Sequence, residues 1–478
     1  MPLFQILHIV LIICVVFIEQ KKPAEAIVWV LIIMLVPGVG AFLYVVLGST
    51  LGIKLTKHFR SKKLESYANM PLNAALEQST NEAFLDSLPL SQKDKRAIAF
   101  NISYNQSPLV FCEDATIYVS GATHYEALFK DIEQAKKQIL VEFYTIHNDY
   151  IGHALVEALT KKAREGVVVK VLCDFIANIA SPAKMFAPLK EAGGQVHRVK
   201  PYLTHYRSHR KIVIIDKNIG YIGGMNIGKQ YVNESKKKPW RDTQVRITGS
   251  GITMLRYYFL KDWVCSMNSK AFARLEEDFY LNAVSDTPAV SKTSLSEQLP
   301  CQFVVGGVDT DNEAIKCSYL NLIQNAKKRI RIQTPYFIPD SSILDALKVA
   351  AASGVEVEIM VPGISASFFL TPVTRWYLGQ LLSLGAKVYH YEGYIHAKTI
   401  VIDEEIACIG SVNMDIRSLV VDDEILGIFY DNDFTIKNNI IFDNDIQNSR
   451  LYTYEAFQGR SWLDKVKERL FLLFAPLM

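Results

Sequence analysis

His209-Arg210-Lys211, followed by Asp216 and then Gly223-Gly224-Met225-Asn226, returns later in the chain as His396-Ala397-Lys398, Asp403 and Gly410-Ser411-Val412-Asn413. Both copies keep the spacing H-x-K-x4-D, and both reach an asparagine at the same distance beyond it. One such match is a weak signal, whereas two in register within a longer repeat mark a duplication.

The repeat extends upstream of these residues. Ala135-Lys136-Lys137-Gln138-Ile139 opens an apolar stretch ending in Glu142-Phe143-Tyr144, and Ala326-Lys327-Lys328-Arg329-Ile330 opens another ending in Thr334-Pro335-Tyr336-Phe337-Ile338-Pro339. A helix-like segment, a glycine (Gly166 or Gly354) and a β-branched run (167–172 or 355–361) follow in each copy. A second helix then turns at Ala192-Gly193-Gly194 or Leu384-Gly385-Ala386 into a short strand, 196–199 or 388–389. Helices alternating with short apolar strands predict an α/β layered domain present twice. Two similar domains facing one another would place equivalent loops, and a shared site, at a pseudo-twofold interface.

The spacing also carries chemistry. In a strand, residues two apart share a face, so His209 with Lys211 and His396 with Lys398 would form two basic pairs. Asn226 and Asn413 could add amide donors from the next strand. Two imidazoles and two ammonium groups suit a phosphodiester. One histidine attacks phosphorus and the other protonates the leaving alcohol, while lysine and asparagine stabilise charge on the non-bridging oxygens. No carboxylate cluster of the kind a magnesium site needs accompanies them, so neither metal nor cofactor is expected.

The rest of the chain constrains where this chemistry happens. With 478 residues, two or three domains are expected, and a net charge of +3 gives no global case for nucleic acid. The seven cysteines, at 14, 112, 173, 265, 301, 317 and 408, show neither C-x-x-C nor zinc-like spacing and read as free thiols in a reducing compartment. Residues 2–18 and 26–48 are uncharged and apolar, each long enough, or nearly so, for a hydrocarbon core of about 30 Å. They predict an N-terminal transmembrane helical hairpin, kinked at Pro37-Gly38. Ala24-Glu25-Ala26 imitates a signal-peptide cleavage site, but no lysine or arginine precedes the first run and a second follows at once. Only Lys21 and Lys22 lie in the link, whereas Lys54, Lys57, Arg60, Lys62 and Lys63 follow the second run. The positive-inside rule then puts both termini and the catalytic region in the cytoplasm.

The expected organisation is two transmembrane helices in 1–50, a linker with a short helix or two in 51–107, and a first catalytic domain in 108–284. A Ser/Thr/Pro-rich linker in 285–300 and a second domain in 301–478 complete it. At the C-terminus, Trp462, Val466, Leu470 and 473–474 form an apolar stripe beside Lys465, Lys467 and Arg469. An amphipathic helix on the membrane and a helix packed on the core explain this stripe equally well.

The doubled motif is the HKD motif of the phospholipase D superfamily, which the chain resembles from about residue 108 onward. Thr334-Pro335-Tyr336-Phe337-Ile338-Pro339-Asp340, Trp240-Arg241-Asp242-Thr243 and Asn413-Met414-Asp415-Ile416-Arg417-Ser418 resemble bacterial cardiolipin synthases more narrowly. That resemblance implies two phospholipase D-like α/β/α layered domains and a phosphohistidine intermediate, by the superfamily's habit on His209 with His396 as acid/base, while the nearly symmetric motifs leave either histidine open as the nucleophile. Asp216 and Asp403 are counted with the histidines and lysines in the motif, in a supporting rather than metal-binding capacity. The resemblance further implies separate downstream acids, Asp242 and Glu424, that orient the histidines. Two departures stand out: Gly224 in place of the superfamily's serine, and Val421-Asp422-Asp423 before Glu424 in place of Asn-Phe. The implied reaction converts two phosphatidylglycerols to cardiolipin and glycerol at the bacterial cell membrane. A phospholipase D using water, or a transferase using serine or ethanolamine, would share these residues. A nuclease or a silent scaffold fits the apolar N-terminus and the paired motifs less well. The sequence leaves a homo-oligomer open.

Overall fold

The computed structural model describes residues 3–19, 23–49, 57–60, 70–200, 206–236, 239–267, 297–307, 310, 313–364, 367–473 and 475. Most of the inter-domain linker expected at 285–300, the link lysines 21 and 22, and Lys54, Lys62, Lys63 and Phe474 lie outside the described residues.

Two mixed sheets form the framework, and they have the same strand order. The first runs Asp114–Tyr118, Gln244–Thr248, Ile219–Gly223, Ile212–Ile215, Gln138–Phe143, Val168–Asp174, Gln195–Val199. The second repeats it as Leu299–Gly306, Glu424–Tyr430, Ile406–Gly410, Thr399–Ile402, Arg329–Gln333, Glu356–Pro362, Lys387–Tyr391. In each sheet the last three strands are parallel and the others antiparallel. Ile212–Ile215 and Thr399–Ile402 are near-continuous apolar runs, buried at every position because both of their faces are covered. Gln138–Phe143 is buried at every position.

The helices entering the parallel strands end on equivalent glycines. Gly166 and Gly354 adopt φ of +86° and +90°, a left-handed conformation that costs glycine nothing and closes the last helical turn. One face of the first sheet packs against helices Gly121–Gln134 and Tyr150–Arg164. One face of the second packs against Ala314–Gln324, Ser341–Ala352 and Leu370–Leu382. The remaining faces meet through Leu140, Ile212, Ile222 and Val245 on one side and Phe303, Ala407, Ile409 and Ile425 on the other, with helix Ile252–Ser266 in the same core.

The second sheet carries two additional edge strands, Val110–Cys112 and Ser449–Tyr452. Val110–Cys112 falls within the first unit by sequence position, yet it pairs with 299–301 of the second. The reason lies just upstream. The stretch read as linker forms helices Met70–Ser79, Glu82–Ser87 and Gln92–Asn105. The last of these opens on a reciprocal Ser91–Asp94 capping box and buries Ile98 and Ile102 in the second unit's core, beside Leu109 and Phe111. The C-terminal helix Trp462–Leu472 packs along Leu370–Leu382. Phe471 and Leu472 turn inward while Trp462, Leu463, Leu470 and Leu473 stay exposed.

At the N-terminus, α-helix Leu3–Ile13 continues as a π-helical turn, Cys14–Ile18, and is followed by Pro23–Leu35, Val39–Leu43 and Tyr44–Gly48. Among the described residues no helix is long and apolar enough to cross a membrane. The second apolar stretch breaks at Gly38, at φ +83°, and runs back along itself. A Cβ on Gly40 would strike the Ile32 carbonyl, and one on Gly48 the Trp29 ring. The Gly38 N–H donates to His8 Nε2 at 3.0 Å and Ser49 Oγ to Glu19 at 2.8 Å. The Glu19 end of the first helix and the chain exit at Ser49 therefore lie together, where the kinked hairpin would separate them.

Candidate active site

The two HKD segments approach the interface in extended lead-ins to their strands rather than within them. His209 and Lys211 precede Ile212–Ile215, and His396 and Lys398 precede Thr399–Ile402. Each lead-in pairs with the opposite half. The His209 N–H donates to the Asp423 carbonyl at 2.9 Å, and the His396 N–H to the Arg241 carbonyl at 2.6 Å. Tyr394–Ile395 also forms a two-residue parallel bridge with Trp240–Arg241.

This exchange brings each histidine to the acid of the other half. His209 Nδ1 lies 2.8 Å from Glu424 Oε1, and His396 Nδ1 lies 2.6 Å from Asp242 Oδ2. The backbone makes the acids equivalent: Gly224 donates to the Thr243 carbonyl and Ser411 to the Ile425 carbonyl, each one residue past its acid. The departure at Gly224 has a steric cause here. A Cβ at that position would lie 2.2 Å from Asp242 Oδ1. In the other half the longer glutamate leaves room, and Ser411 Oγ donates to Glu424 Oε2.

The lysines fold back on their own motifs. Lys211 Nζ donates to the His209 carbonyl at 2.5 Å. Lys398 Nζ donates to the His396 carbonyl and lies 2.9 Å from His396 Nδ1. Aromatic rings wall both imidazoles. The Tyr144 ring centroid stands 4.7 Å from His209, and Trp240, Tyr394 and Tyr231 stand 5.6, 6.0 and 6.2 Å from His396.

Burial dominates the electrostatics. It lowers His209 well below its ordinary value, with Lys211 and Lys398 adding to the effect, and it lowers His396 to about 4, helped by Lys398 against Asp242. Burial takes Lys211 down to about 7 and Lys398 to about 8, against the pull of Glu424 and Asp242. The two acids diverge. Burial raises Glu424 to about 7 despite Lys211, whereas Lys398 and His396 outweigh burial at Asp242 and hold it below the usual carboxylate range.

The remaining expected residues are placed differently. Asp216 and Asp403 stand at the far ends of their strands, seven residues past the histidines and so roughly 20 Å from them. Both adopt left-handed φ, +53° and +55°. The Asp216 carboxylate accepts backbone N–H groups of Lys136, Lys137 and Gln138, and that of Asp403 those of Lys327, Lys328 and Arg329. They staple each half's central strand at its start and do not join the site. Asn226 is engaged in scaffolding: its Oδ1 accepts the Thr145 N–H and its amide donates to Tyr231 OH. Asn413 is buried, and its Oδ1 has no hydrogen-bond partner among the described residues. The aromatic walls carry no repeated motif of their own in the sequence, although Tyr394 stands two before His396 and Trp240 two before Asp242. Among the described residues no group of three or more His, Cys, Asp or Glu side chains is placed to hold a metal ion.

Residues 128–247 and 319–446 match the family model described as cardiolipin synthase, PLD-like domain, and residues 6–49 match that of the phospholipase D-nuclease N-terminal region. The chain is 35% identical to the major cardiolipin synthase ClsA of Bacillus subtilis (strain 168), over 100% of this chain and 98% of that protein. It is 32% identical to the cardiolipin synthase of Oceanobacillus iheyensis, over 99% and 98%. The crystal structure of phosphatidylserine synthase from Haemophilus influenzae Rd KW20 superposes with a TM-score of 0.60 at 17% identity, covering 80% of this chain and 97% of that one, and shares the fold.

Proposed function

The chain belongs to the cardiolipin synthase family of phospholipase D-like phosphatidyltransferases, and we propose that His209 and His396 carry out the transfer from phosphatidylglycerol in two displacements. A carboxylate at each Nδ1 assigns the chemistry to Nε2. His209 Nε2 attacks the phosphorus of the first lipid. The P–O bond to glycerol breaks, and His396 gives the departing oxygen its proton. His396 then takes the proton of the terminal hydroxyl of a second phosphatidylglycerol, whose oxygen attacks phosphorus. The P–N bond breaks, and cardiolipin leaves.

The division of labour follows from the acids. The nucleophile must be neutral, and His209 is strongly held so. The acid/base must accept and return a proton, and although burial and Lys398 lower His396 to about 4, the ionised Asp242 opposes them and leaves it the more readily protonated of the two rings. Lys211 and Lys398 supply positive charge for the non-bridging oxygens. Asp216 and Asp403 act on the scaffold.

We take 108–284 and 301–478 as the two halves of the catalytic region, with Val110–Cys112 of the first added to the edge of the second half's sheet. The N-terminal module seats in the membrane. Its outward side chains, among them Ile9, Ile13, Phe17, Leu31, Leu35 and Phe42, are exposed and apolar, and the catalytic halves lie on the cytoplasmic side of the bacterial cell membrane.

The crossed histidine–carboxylate pairs carry this reading. Its test is product analysis of membranes bearing the protein, supplied with labelled phosphatidylglycerol and chelator, without nucleotide, beside His209→Ala. Cardiolipin and glycerol, lost in the variant, are expected. Phosphatidic acid alone would make water the acceptor and the protein a phospholipase.

A further inference from the structure

Arg60 lies in the basic stretch that follows the apolar N-terminus, yet it is buried to 6% exposure. Its fork is fully directed inward. Nη1 donates to Asp423 Oδ2 at 2.7 Å and to Tyr206 OH at 2.8 Å, and Nη2 donates to Asp262 Oδ1 at 2.6 Å. The other Asp262 oxygen accepts from Arg210.

These partners flank the catalytic groups. Arg210 follows His209, and Asp423 precedes Glu424, the acid on His209. The two segments are laddered together. The His209 N–H donates to the Asp423 carbonyl, and the Asp423 N–H donates to the Arg207 carbonyl, both at 2.9 Å. Arg210 also reaches across, donating from Nε to the Glu424 carbonyl at 3.1 Å. Two buried aspartates thus face two guanidinium groups, Arg60 and Arg210, on either side of Asp262, beside the buried Glu142, whose carboxyl burial and Asp262 push well above its ordinary value. Removing one guanidinium leaves uncompensated negative charge directly behind the ladder that sets the His209–Glu424 distance.

We propose that Arg60 is a positioning residue for the nucleophilic histidine, tying the segment that leaves the N-terminal module to the backbone ladder between His209 and Glu424. The inference rests on the histidine assignments above. Arginine rather than lysine is required, because one planar fork serves both aspartates at once.

The test uses the full-length protein in membranes or detergent, comparing Arg60→Met and Arg60→Lys with the wild type at equal amounts of folded enzyme. Arg60→Met is expected to lower kcat about 100-fold while KM stays within about threefold, as for a small misplacement of reacting groups. Guanidinium ion should restore part of the loss, and sodium chloride at equal ionic strength should not. A kcat within about threefold of wild type, or a loss that follows unfolding and ignores guanidinium, overturns the proposal. Should Arg60→Met fail to accumulate, Arg60→Lys decides: a kcat about tenfold down at unchanged KM supports it, and wild-type kcat overturns it. A wild type that makes no cardiolipin defeats the functional reading itself. An active wild type with a fully active Arg60→Met defeats only this inference.

Discussion

His209 Nδ1 and Glu424 Oε1 are 2.8 Å apart although 215 residues separate them in the chain, and the contact joins one half of the duplication to the other. The reciprocal contact, His396 to Asp242, spans 154 residues. Neither half places a carboxylate against its own histidine, so each histidine–carboxylate pair needs both halves.

Replacing the orienting acids should expose their inequality. Asp242→Asn is expected to lower kcat about 100-fold or more with little change in KM, because the amide no longer stabilises a cationic ring. Glu424→Gln should cost less near neutral pH, where burial has already raised Glu424 to about 7. Steady-state cardiolipin formation measures both. Equal losses would mean that both acids are ionised in the working enzyme.

The lysines set the alkaline limit. Their folded-state values are lowered, to about 7 for Lys211 and about 8 for Lys398, so their charge is present below that range and lost as pH rises through it. We expect kcat/KM to fall over the same interval. The limb for kcat should lie higher, because a bound phosphodiester favours the ammonium forms. Lys211→Arg should move the kcat/KM limb from about 7 toward about 8, where Lys398 titrates, and an unmoved limb would assign it to another group.

Asp216→Asn and Asp403→Asn should weaken the fold and spare the chemistry. Each carboxylate collects several backbone N–H groups, and its loss is expected to cost about 1–3 kcal/mol, read as a lower melting temperature. At Asp403, Lys93 and the backbone donors outweigh burial and hold the carboxyl below its ordinary value. Its stabilisation is therefore present above the unfolded-state value and lost as pH falls through the folded one. Activity per folded molecule should stay near wild type, and a loss as deep as that of His396→Ala would return these residues to the reaction.

The folded-back N-terminus predicts sidedness. Because Ser49 Oγ meets Glu19, cysteines placed at 19 and 49 should react with an impermeant maleimide from the same face of the membrane, above the background of the seven native cysteines. Opposite faces would indicate a two-span hairpin, with the second stretch continuous through Gly38.

Much of the fold was legible because it is local and written twice. The β-branched runs at 167–172 and 355–361 became Val168–Asp174 and Glu356–Pro362, and Gly166 and Gly354 ended helices as expected. Those signals depend on side-chain period and backbone conformation, which a short window contains. The segment 70–105 was harder, since its helices gain their stability by burying Ile98 and Ile102 in a core formed some 200 residues later.

By itself, the sequence determined two histidines and two lysines in a duplicated α/β framework, because residue type and spacing are one-dimensional properties, and the two downstream acids were reached only through the family resemblance. Only the tertiary structure decided how those groups are shared. The pairing of His209 with Glu424 and His396 with Asp242 depends on backbone ladders across the interface between halves. The withdrawal of Asp216 and Asp403 to the strand starts depends on which end of each strand faces that interface. The burial of Arg60 among Asp262, Asp423 and Tyr206 likewise needs partners from three distant stretches of chain. Contacts between remote segments are set by how two packed sheets meet, and no local pattern of residues encodes that.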